Sequence, residues 1–103
     1  MRFVILIAGT VLAAEHRGVI KFAGLPVPGV SVVATRGDRR VATITDPAGT
    51  YVFPDLADGP WTLEAEMQLF AVERREISVA ARALPAEWEL QALPPGRGRD
   101  DHR

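Results

Sequence analysis

From residue 16 to residue 93 the chain repeats one pattern, short runs of alternating apolar and polar side chains cut off by glycine and proline. A period of two puts successive side chains on opposite faces of a strand, and no stretch holds an apolar face at helical spacing between caps. Residues 17–23 (RGVIKFA) are the first run, with Gly18, Ile20 and Phe22 on one face. Residues 24–29 (GLPVPG) break it, because their two prolines remove backbone donors and fix φ. In residues 30–36, Val30, Val32 and Ala34 share a face and Ser31, Val33 and Thr35 take the other. The polar turn 37–39 joins this run to residues 40–45 as a hairpin.

Residues 45–66 (TDPAGTYVFPDLADGPWTLEAE) carry most of the chain's candidate chemistry. In 46–49 an aspartate accepts from following amides, proline presets φ and glycine takes a positive φ, so Asp46 reads as a turn residue. Tyr51 and Phe53 face one side of a strand that Pro54 is expected to stop. Residues 54–60 then read as a loop with Leu56 tucked under the sheet. Trp61, Leu63 and Ala65 alternate with Thr62, Glu64 and Glu66 as a half-buried strand. The mixed-charge run 72–79 has the composition of a solvated edge. In 86–93, Trp88 and Leu90 point inward and Glu87 and Glu89 outward. The count is about seven strands, in an all-β sandwich or barrel.

The ends have a different composition. Residues 1–14 place Arg2 before an apolar run and finish on small residues, the layout of a secretory signal peptide. The run is shorter than the roughly 20 residues that cross a membrane, so no span is expected in a mature chain starting near Glu15. A buried first strand is the alternative. Residues 94–103 (PPGRGRDDHR) hold no aliphatic or aromatic side chain and read as a disordered tail or linker. Residues 80–86 are too short for a stable helix alone. The expected organisation is therefore a signal peptide (1–14), one β-sandwich domain (16–93) and a tail (94–103).

Composition narrows the function classes. The 103 residues allow one core, and 48% hydrophobic with 24% charged residues suits a folded domain. Eleven arginines and one lysine sit against 13 acids, for a net charge of -1, so there is no basic surplus to bring in nucleic acid. The absence of cysteine removes disulfides, thiolate catalysis and thiolate zinc sites.

No catalytic constellation emerges. His16 and His102 lie far apart in sequence, and His16 reads as a solvated residue at the new amino terminus. Ser31 and Ser78 lie within strands, away from any G-x-S-x-G elbow. Asp46, Asp55 and Asp58 could be drawn as calcium ligands, but they come from two loops and lack the D-x-D-x-D-G order, so they read as corners. Asp100 and Asp101 read as solvated. No catalytic, cofactor-binding or metal residue is expected, and the chain does not read as an enzyme. Sugars stack on exposed aromatic rings, which makes Trp61 and Trp88 the candidates for a carbohydrate platform, although both fall in the inward phase of their strands.

The order of parts resembles the carboxypeptidase regulatory-like domain. The matching pieces are Gly18 with Ile20, Pro26-Val27-Pro28-Gly29 with Val32, Thr45-Asp46 with Gly49, Tyr51 and Phe53, Leu56 with Gly59, and Trp61-Thr62-Leu63. They cover residues 17–79, with 80–93 as the closing strand. Trp61 stands where the family usually has tyrosine, which puts a hydroxyl-anchored corner in question. The resemblance implies a seven-stranded antiparallel sandwich, similar in fold to transthyretin (prealbumin) and to starch-binding domains. It also implies a secreted or periplasmic module, often ahead of a TonB-dependent outer-membrane transporter or beside a hydrolase or adhesin. The chain is therefore expected to be a non-catalytic accessory module that acts by contact with a neighbouring domain or cell-envelope protein or as a spacer, with a carbohydrate-binding module as the alternative.

Overall fold

The computed structural model describes residues 13–80 and 84–94. Eight strands follow in order: β1 (Ala13–Phe22), β2 (Leu25–Pro26), β3 (Ser31–Arg36), β4 (Arg39–Ile44), β5 (Thr50–Ala57), β6 (Gly59–Glu66), β7 (Glu73–Val79) and β8 (Ala86–Glu89). They form two layers. One sheet has the order β4-β3-β6-β7 and is antiparallel throughout. In the other, β1 pairs antiparallel with β5 and, at its far end, with the two-residue β2. On its other side β1 takes β8, which runs parallel to it from Gly18 opposite Ala86 to Lys21 opposite Glu89.

Alternation sorts the side chains between core and solvent. One sheet contributes Val32, Ala34, Trp61, Leu63 and Ala65 to the core, and the other contributes Ile20, Tyr51, Phe53, Leu56, Trp88 and Leu90, each no more than 2% exposed. Burying an aliphatic or aromatic side chain of this size stabilises by about 1.5–3 kcal/mol, so this shared interior is the main favourable contribution. The mixed-charge run forms the outer strand β7, as an edge composition predicts.

Three expectations need correction. Pro54 does not stop its strand, because β5 continues through it to Ala57. The register slips between Ala14 and His16, which face Leu56 and Phe53, leaving Pro54 and Asp55 opposite Glu15 alone. A bulge on an edge strand is a place where proline's missing N–H costs no ladder bond. The expected loop 54–60 is consequently one corner residue, Asp58, between β5 and β6. The parallel β8 also departs from an antiparallel scheme. Ala13 and Ala14, the last two residues of the stretch read as a signal peptide, are placed in β1 opposite Ala57 and Leu56. Residues 1–12 of that stretch, residues 81–83, and residues 95–103 of the expected tail lie outside the described residues.

Gly49 fixes how the turn after β4 meets β1. Its φ is +75°, and a Cβ there would lie 2.7 Å from the Ile20 carbonyl oxygen and 3.1 Å from the Val27 nitrogen, both of them backbone. Its own carbonyl accepts the Ile20 N–H at 2.8 Å. Gly49→Ala is expected to destabilise the fold by about 2–4 kcal/mol, combining left-handed strain with overpacking, read as a lower urea midpoint. An unchanged midpoint would contradict the geometry.

Candidate functional site

Among the described residues, three groups of polar and aromatic side chains hold the sandwich together. The first surrounds the turn between β4 and β5. The Asp46 Oδ1 atom accepts the N–H groups of Ala48 and Thr50, each at 2.9 Å. Thr45 is 5% exposed. Its hydroxyl accepts the Val30 N–H at 2.9 Å and donates to the Val27 carbonyl at 2.7 Å. Its backbone adds bonds to Gly29 and Val30. The pair Thr45-Asp46 thus ties its own turn to the proline-rich segment before β3, and the carboxylate is occupied by backbone donors, as a corner residue's would be.

The second group is the corner between β5 and β6. Trp61 is 2% exposed, and its indole N–H donates to the Ala57 carbonyl four residues earlier at 2.8 Å. The corner bond expected of a tyrosine hydroxyl is therefore made by the indole donor. Arg36 closes the end of the core: its guanidinium carbon lies 5.5 Å from the Trp61 ring centroid, and it donates to the Asp58 carbonyl at 2.9 Å. Beside this corner an open groove of about 210 Å³ is lined by Thr35, Arg36, Pro60, Trp61, Thr62 and Glu76. Asp58 keeps one carboxylate oxygen buried without a partner, while Asp55 is exposed. The three aspartates are not brought together, and among the described residues no group of three or more His, Cys, Asp or Glu side chains could hold a metal.

The third group was not legible as a site in the sequence. His16 is 6% exposed, which overturns its reading as a solvated residue. Its Nε2 lies 2.9 Å from the Tyr51 hydroxyl, which also accepts the Trp88 indole N–H at 3.0 Å. Trp88 uses only an acceptor position on the oxygen, so the phenol's one proton is free to go to Nε2 of a neutral imidazole. Burial lowers the His16 pKa from its ordinary value near 6.5. Burial also pushes the Tyr51 pKa up to about 12, against the lowering effects of the Trp88 hydrogen bond and the Arg75 charge. The Tyr51 ring lies over Gly18, where a Cβ would meet its hydroxyl at 2.5 Å. Arg75 covers Trp88, with its guanidinium carbon 4.6 Å from the ring centroid, and donates to the Glu87 carbonyl at 3.2 Å.

Neither Ser31 nor Ser78 joins His16. Ser31 sits opposite Ile44 and Glu66, and Ser78 opposite Pro60. Both candidate sugar platforms, Trp61 and Trp88, are core side chains, each with an arginine over one ring face.

The profile of the carboxypeptidase regulatory-like domain matches residues 7–91. The chain belongs to that family. Comparison with curated proteins returns no match. Among solved structures, the regulatory-like domain superposes on the Bacillus anthracis TIE protein with a TM-score of 0.62 at 10% identity, covering 79% of this chain and 17% of that one. A DUF3823 family protein from Parabacteroides merdae gives a TM-score of 0.62 at 13% identity, covering 82% of this chain and 48% of that one. The chain thus spans under half the length of either, and at such identities the likeness shows the fold.

Two outcomes test this assignment. Thr45→Val strands the Val30 N–H in the interior and should cost about 2 kcal/mol in denaturant unfolding, while Thr45→Ser should cost less. A folded-state histidine pKa below the unfolded value means that stability is fully present above about pH 6.5 and is lost as pH falls below it, because the unfolded chain takes up the proton first. The urea midpoint should therefore fall between pH 7 and pH 5.5, and His16→Gln, which keeps an acceptor for Tyr51, should flatten that slope. A slope that survives the substitution would assign the effect elsewhere.

Proposed function

We propose that this regulatory-like domain is a non-catalytic accessory module of the cell envelope or the secreted space, acting by protein contact or as a rigid spacer, within a larger secreted or outer-membrane protein or beside one. The single observation that carries the reading is that the side chains a reaction would use are already engaged. Asp46 is bonded to backbone amides, Thr45 to two backbone partners, and His16 and Trp88 to Tyr51. A catalytic site instead needs a nucleophile, a base and an oriented partner around open space.

Two further features support contact and spacing. Ala13 lies at the β5–β6 corner and Leu93 beside Leu69, at opposite ends of the sandwich. The ten residues of β1 separate those ends by about 30 Å, so partners meeting the two ends would be held apart by a stiff layer. The Leu93 end is also unusually apolar. Phe22 is 37% exposed and meets Phe70 edge-to-face with ring centroids 5.0 Å apart, and Leu69 and Leu93 stand 76% and 54% exposed. Leu69 holds a φ of +75°, a conformation that leucine adopts only under strain. Exposed apolar clusters of this kind mark contact surfaces.

The localisation is tested by fractionating the source cells and reading the amino terminus of the recovered chain by mass spectrometry. A start at Ala14 or Glu15 in the extracytoplasmic fraction is expected. An intact Met1 in the cytosol would overturn the extracytoplasmic reading.

A further inference from the structure

The outer edge of β7 suggests a specific partner. Residues Glu73 to Val79 pair with β6 along their whole length, from Ala65 opposite Glu73 to Gly59 opposite Val79. β7 ends the sheet, and among the described residues no strand lies on its far side. Among the described residues, no main-chain hydrogen bond outside the ladder reaches residues 73–79. In an antiparallel strand alternate residues turn their N–H and C=O away from the existing neighbour, so β7 presents a row of unpaired groups long enough to template another strand. Edge strands of this length are normally guarded by charge, and β7 carries Glu73, Arg74, Arg75 and Glu76 in succession.

We propose that this edge pairs with the same edge of a second copy of the chain, antiparallel and about a two-fold axis at Arg75. The proposal names one partner for the contact reading above and rests on it only to that extent. Arg74 and Glu76 both point to the outer face, opposite Glu64 and Thr62 of β6. A two-fold axis perpendicular to the sheet keeps that face outward and sets Arg74 directly across from Glu76 of the second copy, and Glu76 across from Arg74. Opposite charges directly across two strands stabilise the pairing and like charges oppose it. Arg74 already donates to Glu64 of its own chain at 2.8 Å, and its five N–H donors leave room for a second carboxylate.

Other registers are worse. An axis at Glu76 sets that carboxylate against itself. An axis at Arg74 sets two exposed guanidinium groups together and leaves only residues 73–75 of each strand overlapping. An axis at Ile77 gives no ion pair. With the axis at Arg75, residues 73–77 overlap, and Arg75 meets its own copy on the inner face, where each exposed guanidinium is turned toward its own chain, over Trp88 and onto the Glu87 carbonyl. The charges that repel an arbitrary strand thus match one another in this register, which gives an isologous, closed dimer.

Sedimentation equilibrium on the full chain tests the proposal. The unmodified chain should show a reversible dimer. Arg74→Glu and Glu76→Arg, each placing like charges across the axis twice, should weaken it by about tenfold or more. Both positions are exposed, so unchanged tryptophan emission, which reports on Trp61 and Trp88, should confirm that each variant is folded. An equimolar mixture of the two variants restores both opposite-charge pairs and should recover a heterodimer that neither variant forms alone. A monomer at all concentrations would overturn the proposal, as would single variants that dimerise like the unmodified chain or a mixture that stays monomeric.

Discussion

A phenol buried in the middle of a small apolar core has to find partners for its hydroxyl, because an unpaired buried polar group costs about 1–3 kcal/mol. Tyr51 is 1% exposed, and much of the sandwich is arranged around that requirement. Gly18 lacks a Cβ where the ring crosses β1, His16 supplies the acceptor two residues away on the same face, and Trp88 supplies the donor. Since the donor sits on β8, the hydroxyl also links the closing strand to the first. Parallel pairing of β8 with β1 places Trp88 beside Ile20 on the inward side, within reach of the phenol. Arg75 then covers the indole from the opposite sheet. One hydroxyl thereby joins β5, β1 and β8, and a cation over the ring brings in β7.

Much of this was legible as alternation. The inward sets Val30, Val32, Ala34 and Trp61, Leu63, Ala65 follow directly from a period of two, as do Trp88 and Leu90. What stayed hidden were polar side chains in the inward phase. Arg36 continues the phase of Ala34, Arg75 that of Ile77 and Val79, and His16 that of Gly18 and Ile20. Each reads as solvated by composition, yet each lies against an aromatic ring. Their signal is positional, since long cationic side chains can lay their stems along apolar surface and keep the head at the rim. The passage of β5 through Pro54 was illegible for a different reason. A bulge depends on the partner strand's register, which no local window contains.

The motif residues can be given physical meaning on the same terms. Thr45-Asp46 and Gly49 are a single device: the carboxylate closes the turn, the hydroxyl fixes the segment before β3, and the glycine lets β1 approach the turn's backbone. The replacement of a corner tyrosine by Trp61 is tolerated because the corner needs only a donor aimed at the Ala57 carbonyl, and an indole supplies one. Burying that donor leaves a large ring face at the end of the core, which Arg36 covers while donating to the Asp58 carbonyl. Substitution at the corner is therefore coupled to the end of β3.

These arrangements constrain where function can reside. With the histidine, the threonine, the turn aspartate and both indoles committed to the interior or to turns, two surface features stand out among the described residues. One is the charged outer edge of β7. The other is the apolar end around Phe22, Leu69 and Leu93, where a leucine is held in a strained backbone conformation with its side chain in solvent. Local rules are broken at that end and obeyed through the core, and such departures collect where a protein meets something else. The two features also differ in how they select a partner. A charged edge discriminates by register and sign, whereas an apolar end discriminates mainly by shape. A module with both can hold a copy of itself along one side and still leave an end free for a different neighbour.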